Sequence, residues 1–448
     1  MNRHRPRARL LLALGFPTLL AFVQQQALQR QPPRLDRLSS APASFGPAAL
    51  QARFSRPMLA PSLQGLSRLQ PALGHRWLGE GDRLLLALSA GQRVLAPLTL
   101  TLAGRDRRGL GLAEQQWRWD PRPRVLAVVP VTSGEQLQLR EHDGRWRSLS
   151  PIWPKIPGVE ALGDGSGVAL ASQDEQGGFR VWKVPLRQRN LAQGRQGLAT
   201  VQAESPRPLG PSGLMFAHLS ANRRGQLLVQ SGGQEPGEAL TQLWTREGGA
   251  RRLELSATGP MRLLPEGGAV VVPQIEGLSL RALPPQATPP QTLPGSRDLS
   301  AFCPRAGRAL LVRHWPDYRR SLELVEPGQA PRQLWIGSQA LVASACGGGG
   351  ERIWALLVEG RGQPKLTLLA LDRQGRLLRR QHLVGWELEP GTGLHFDPSG
   401  DRLLAALRPL GPADRPPPPA RPVLIDASSL QLTPLDREVQ QALWLPPG

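Results

Sequence analysis

Residues 394 to 407 read Leu-His-Phe-Asp-Pro-Ser-Gly-Asp-Arg-Leu-Leu-Ala-Ala-Leu, a strand, a tight turn and a returning strand. Pro398 presets φ near about −65° for the turn and Gly400 accepts positive φ, while the apolar run after Arg402 forms the second strand. The same pattern recurs upstream as "WLGEGDRLLLAL" from Trp77, "RWDPRPRVLAVV" from Arg118, "ALGDGSGVALAS" from Ala161 and "HLSANRRGQLLVQ" from His218. It continues as "LLPEGGAVVVP" from Leu263, "AFCPRAGRALLV" from Ala301 and "SACGGGGERIWALLV" from Ser344. Successive copies are spaced by about 45 residues, the period of a four-stranded propeller blade.

Each hairpin is followed by a third strand, such as "LTLTLAG", "FRVWKVPL", "LTLLALDRQG" or "PVLIDASSL", and then by a fourth-strand candidate such as "RWRSLS" or "PRQLWIG". The reading is therefore all-β: a β-propeller of about eight four-stranded blades, with seven as the alternative. The C-terminal "QALWLPPG" reads as a strand that completes the first blade and closes the ring, hiding an edge that would otherwise invite aggregation. A helical solenoid has a similar period, but 49 Gly and 46 Pro in 448 residues interrupt helices at these turn sites.

"FDPSGDRLLAAL", "WLGEGDRLLLAL" and "FCPRAGRALLV" resemble the aromatic-Ser-Pro-Asp-Gly-Lys hairpin of TolB-type, WD-repeat-like propeller proteins. The resemblance covers residues 75 to 436 and implies the fold, not the function. The α/β domain that precedes the propeller in TolB has no counterpart here, so TolB's role does not transfer.

Outside the repeats, Arg3, Arg5, Arg7 and Arg9 precede an apolar run from Leu10 to Val23. That is the layout of a signal peptide, and the lack of a small-x-small cleavage site also allows a membrane anchor. Residues 1–29 are thus read as a hydrophobic leader helix, 30–70 as a flexible Pro/Ser/Ala-rich spacer, and 71–448 as the propeller. The protein is expected to be exported, either periplasmic in a bacterial envelope or membrane-anchored through the N-terminal segment. The net charge of +20 is carried by Arg scattered singly or in pairs, the usage of a GC-rich genome. Nucleic-acid binding would rest on that charge alone and conflicts with the leader.

Chemistry is sparse in the sequence. No Gly-x-Ser-x-Gly nucleophile elbow is present, the seven His never pair at metal-ligand spacing, and the Gly-rich stretches lack the Lys-Ser/Thr of a phosphate cradle. No catalytic residue, metal site or cofactor is assigned. Cys303 and Cys346 occupy equivalent turn positions in consecutive repeats. They form a disulfide only if both lie close to the axis, and are otherwise two buried small apolar residues. Trp117, Trp119, His218 and His395 are the ligand-facing candidates, Trp117 and Trp119 because alternation with Arg118 puts them on one face, with core packing as the other reading. The expected function is a non-enzymatic envelope scaffold that binds a protein or an anionic wall polymer. The rival is a hydrolase or lyase acting on polysaccharide or peptide in the axial funnel.

Overall fold

The second strand of each repeat is a continuous apolar run rather than an alternating one, which requires burial on both of its faces. The computed structural model, which describes residues 24, 30–43, 46–187, 191, 201–233, 235, 237–284, 286, 288–304, 307–360, 364–411 and 416–447, shows how that burial is met. Gly167–Gln173, Arg352–Glu359 and Arg402–Pro409 are buried along almost their whole length because antiparallel sheets stack face to face around an axis. The leader read over residues 1–29 lies outside the described residues except for Gln24 and carries no structural statement. Among the described residues no helix is long and apolar enough to cross a membrane.

Among the described residues from 124 to 445 the strands form seven sheets. Five run in plain chain order, for example Lys155–Ala161, Gly167–Gln173, Phe179–Pro185 and Arg207–Leu214. The seventh, built on Arg402–Pro409, has its innermost strand split into Trp386–Leu388 and His395–Asp397. The first sheet draws on both ends of this span. Arg124–Val131, Gly134–Arg140 and Trp146–Trp153 are joined by Gln441–Leu445, which pairs antiparallel to Arg124–Val131 with Leu443 opposite Leu126 and Leu445 opposite Arg124. The terminal strand thus closes the ring. Val125 and Ala127 of the first sheet share a core with Leu404 and Ala406 of the seventh, as Leu126 and Val128 do with Val168 and Leu170 of the second. Each fully buried Leu in such an interface contributes about 1.5–3 kcal/mol.

Two expectations are corrected by the N-terminal region. Residues 30–70 are not a spacer: they contain Leu35–Ala41, Ala49–Phe54, the helix α1 (Ala60–Leu66) and Arg68–Gln70. The Trp77 hairpin does not begin a blade either. His75–Leu78 pairs with Arg83–Leu88, which pairs in turn with Ala49–Phe54, while Leu98–Arg105 leaves to join Gly111–Trp119 and Arg68–Gln70 in a separate three-stranded sheet. These two sheets enclose their own core of Leu38, Leu50, Phe54, Leu63, Leu86, Leu100 and Trp119. The count of eight repeats therefore includes one hairpin that belongs to an N-terminal β unit. The apparent hairpin at Arg118 is also divided: Trp119 pairs with Leu98, and Val125 with Trp444. A strand-turn-strand pattern specifies a local pair of strands and leaves open which edge each then meets.

Candidate functional site: the axial channel

Three of the turns between first and second strands, in the second, third and seventh sheets, are built by side chains that mimic backbone. Asp397 Oδ1 accepts from the Ser399 N–H at 2.7 Å and the Ser399 hydroxyl at 2.6 Å. Asp164 does the same for Ser166, and Asn222 Oδ1 accepts from the N–H groups of Arg224 and Gln226. These are Asx turns, the mechanism behind the sequence signal. The residue with positive φ in the last of them is Asp401 (52°) and not Gly400, a conformation Asp tolerates better than most residues. Neighbouring turns interlock: Gly163 donates its N–H to the Asn222 carbonyl at 3.1 Å. A Cβ on Gly163 would sit 2.9 Å from the Arg223 Cα, so the approach requires glycine.

Inside the ring lies a cavity of about 780 Å³ walled by the innermost strands of the sheets. Its wall is irregular at two of these inner strands. Ser300 is the extra residue of a β-bulge between Leu299 and Ala301, and Val342 the extra residue of a bulge between Leu341 and Ala343 in the next sheet. Between the two halves of the seventh sheet's inner strand, residues Gly391 to Leu394 also face the cavity. Bulges re-aim side chains, and here they fall in adjacent strands at one site.

Three polar side chains gather near the turn end. Glu160 Oε1 accepts from the Ala221 N–H at 3.1 Å, and burial raises its pKa against the opposing charge of Arg262. Burial, reinforced by Arg262, lowers the His395 pKa to about 4, so the imidazole is neutral at pH 7. Arg262 is exposed to the channel, reaches only the Leu219 carbonyl at 3.4 Å, and forms no ion pair with any described residue. Elsewhere on the wall the polar groups are mutually satisfied. His314 Nε2 meets Asp298 Oδ2 at 2.7 Å, the Ser344 hydroxyl donates to Ser300 Oγ at 2.7 Å, and Arg223 pairs with Glu266 at 2.6 Å. Among the described residues no group of three His, Cys, Asp or Glu is placed to hold a metal ion.

Of the residues singled out from the sequence, His395 lines the cavity. His218 does not; it is exposed on Phe216–Ala221 with its ring 5.4 Å from that of Phe216. Trp117 and Trp119 do share one face, as alternation requires, but the face is interior: they are 6% and 1% exposed in the N-terminal core, and the ligand-facing reading is corrected accordingly. Cys303 and Cys346 form a disulfide with Cα atoms 4.9 Å apart. Both line the axial cavity, where equivalent points of adjacent sheets converge. Glu160 and Arg262 escaped the sequence reading. Their signal is a lone charge just before a turn on an otherwise apolar inner strand, in "VEALGDG" and "MRLLPEGG".

No protein-family model and no curated protein sequence matches the chain. Among solved structures it is similar to an uncharacterized protein of Listeria monocytogenes EGD-e, at 11% identity over 70% of this chain and 91% of that one, with a TM-score of 0.47. It is also similar to TolB of Acinetobacter baumannii (13% identity, 79% and 81% coverage, TM-score 0.39) and to the β-propeller domain of the Trilobed protease of Pyrococcus furiosus (11%, 78% and 96%, 0.44). What it binds has to be argued from its own channel.

Proposed function

We propose that this chain is a seven-bladed, ring-closed propeller that works outside the cytoplasm as a ligand-binding scaffold, with the axial channel as its binding site. The observation that carries the proposal is Arg262, which forms no ion pair with any described residue and faces a cavity of about 780 Å³. Pockets of roughly this size enclose small ligands or the tip of a larger one, and a guanidinium with no ion pair among the described residues is available to an anionic group. The basic, apolar N-terminal stretch supports export or anchoring. An envelope protein or an anionic wall polymer is the class of partner that fits.

One observation favours the enzyme reading. A carboxyl with a raised pKa and a neutral imidazole share this cavity, the pairing that acid–base chemistry uses. Binding is nonetheless better supported. Among the described residues none of the three cavity hydroxyls is bonded to a histidine: Ser300 and Ser344 bond each other, Thr392 donates to the Glu389 carbonyl, and His314 is occupied by Asp298, so no activated nucleophile is assembled.

The test is a pull-down from detergent-solubilised envelope with wild type and Arg262→Gln, with bound proteins and glycans identified by mass spectrometry. A partner recovered with wild type and lost with the variant is the expected result. Equal recovery by both would remove the channel as the binding site.

A further inference from the structure

The outermost strand of a propeller sheet ends on a row of unpaired N–H and C=O groups, and proteins guard such edges with proline, brevity, burial, bulges or charge. Six of the seven outermost strands of the ring carry one of the first three guards. Trp146–Trp153 contains Pro151, and Arg207–Leu214 contains Pro208 and Pro211. Gln291–Pro294 and Leu432–Pro434 are short and end on proline, Ala250–Leu253 is short as well, and Arg332–Gly337 is mostly half-buried around a buried Leu334. The outer strand of the sixth sheet, Leu377–His382, has none of these: it is six residues long, free of proline and exposed at every residue. A bulge leaves Leu378 without an opposite residue, so from Arg379 onward charge is the one guard that remains, and charge discriminates between partners.

One bond sets which residues of this strand face outward. Leu383 donates its N–H to the Leu366 carbonyl at 2.9 Å, and the register continues with His382 opposite Thr367, Gln381 opposite Leu368, Arg380 opposite Leu369 and Arg379 opposite Ala370. Hydrogen-bonded and non-bonded pairs alternate in an antiparallel ladder, so Arg379 and Gln381 turn their main-chain groups toward Lys365–Asp372 while Arg380 and His382 turn theirs away from the sheet. The outward carbonyl of His382 meets only Gln381 Nε2, at 3.3 Å. Among the described residues Arg379 reaches the Ser429 carbonyl at 3.4 Å and neither arginine has an ion pair, while Asp372, in the turn that leads into the strand, is taken by Arg376. We propose that Leu377–His382 is a docking edge for an extended acidic segment of a partner protein, which adds to the sixth sheet as a fifth strand. Strand addition draws its affinity from main-chain bonds such as those Arg380 and His382 offer. Arg379 and Arg380 point to opposite sides of the strand, so carboxylates on the incoming strand meet a cation on either face, and Leu377, 50% exposed, gives the edge an apolar end. A second copy of this chain fits worse, because two-fold pairing centred on Arg379 or on Arg380 sets arginine directly against arginine.

The experiment uses the full chain and three synthetic peptides of strand length at about 1 mM: alternating Glu-Val, alternating Lys-Val, and the Glu-Val sequence N-methylated throughout, which cannot complete a ladder. Hydrogen exchange at the Arg380 and His382 amides is expected to slow by about tenfold or more with the unmodified Glu-Val peptide alone. Arg380→Pro removes an outward N–H without touching the ladder to Lys365–Asp372, and should return the His382 amide to its rate without peptide. The double variant Arg379→Glu/Arg380→Glu should transfer the protection to the Lys-Val peptide. Both changes are at exposed side chains, and thermal unfolding verifies that each variant is folded. Arg262→Gln, which tests the channel, should leave the protection unchanged; its loss there would move the peptide into the channel and overturn the docking edge. Equal protection by the Glu-Val and Lys-Val peptides overturns the acidic partner, and protection by neither overturns the edge as a docking surface. Protection that rises with protein concentration in the absence of peptide assigns the edge to a second copy and overturns the proposal as well.

Discussion

The indole Nε1–H of Trp444 donates to the backbone carbonyl of His395 across 3.0 Å, tying the last strand of the chain to the inner strand of the seventh sheet. The same strand pairs residue by residue with Arg124–Val131 of the first sheet, so five residues at the C-terminus hold both sides of the closure. Leu445 is 2% exposed within it, packed among Leu126, Leu137 and Val168. Leu445→Ala is expected to cost about 2–5 kcal/mol, whereas the half-exposed Leu377→Ala on an outer strand should stay within about 0.5 kcal/mol. Urea unfolding of the two variants checks this. Similar midpoints would mean that the ring does not depend on its last strand.

The disulfide joins the turn after the fifth sheet's inner strand to the inner strand of the sixth across 43 residues of chain. Linking them shortens the unfolded ensemble, and for a loop of that length the effect is about 2–4 kcal/mol. The double variant Cys303→Ala/Cys346→Ala should therefore unfold at lower temperature than wild type, while reduction of the variant changes nothing further. Alkylation of the purified, unfolded, non-reduced protein should add no mass. Two labels at that stage would show free thiols.

Stability should decline on acidification through the His395 window. Its native pKa is held at about 4 against an ordinary 6.5, so as pH falls below 6.5 the unfolded chain takes up the proton first and the native state loses stability until about pH 4. The effect is at most about 3 kcal/mol. Glu160 tilts the opposite way, since its raised native pKa lets the folded state bind a proton before the unfolded one does. The test is therefore a difference: His395→Gln should flatten the pH dependence of the urea midpoint between about pH 6.5 and about pH 4 relative to wild type. Parallel curves would place the imidazole in a more hydrated setting than the cavity wall provides.

Docking of the N-terminal unit is predicted to depend on Asp401. Arg93 donates to it at 2.5 Å, Arg352 pairs with it from the other side, and the adjacent Val94 N–H donates to the Ser399 carbonyl at 2.7 Å. Burial pushes the Asp401 pKa up, but the hydrogen bonds and charges of Arg352 and Arg93 outweigh it and hold the carboxyl below its usual range. That contribution is present above the ordinary carboxylate pKa and is lost as pH falls through the lower native value. Asp401→Asn at neutral pH should reproduce the loss, accelerating hydrogen exchange at Val94 by about tenfold while the Leu403 and Leu404 amides stay protected. Unchanged exchange at Val94 would mean that other contacts hold the unit.

The sequence by itself determined the kind of fold and the chemistry of its turns. Asp164, Asn222 and Asp397 carry their own turn geometry in side chains that bond two residues on, and apolar runs such as Ala405 with Leu403 and Leu404 demand burial on both faces. Such signals are local, and local physics suffices for them. Which strand meets which edge was decided only in three dimensions. Nothing around Trp77 says that Arg83–Leu88 pairs with Ala49–Phe54, nothing around Val125 names Trp444 as its partner, and Trp119 is interior only because α1 and a second sheet cover it. The channel was equally hidden: Glu160, Arg262 and His395 lie more than a hundred residues apart in sequence and share an electrostatic environment because inner strands converge on one axis. Burial, which sets the charge state of each of them, is a property of that convergence and not of any segment of the chain.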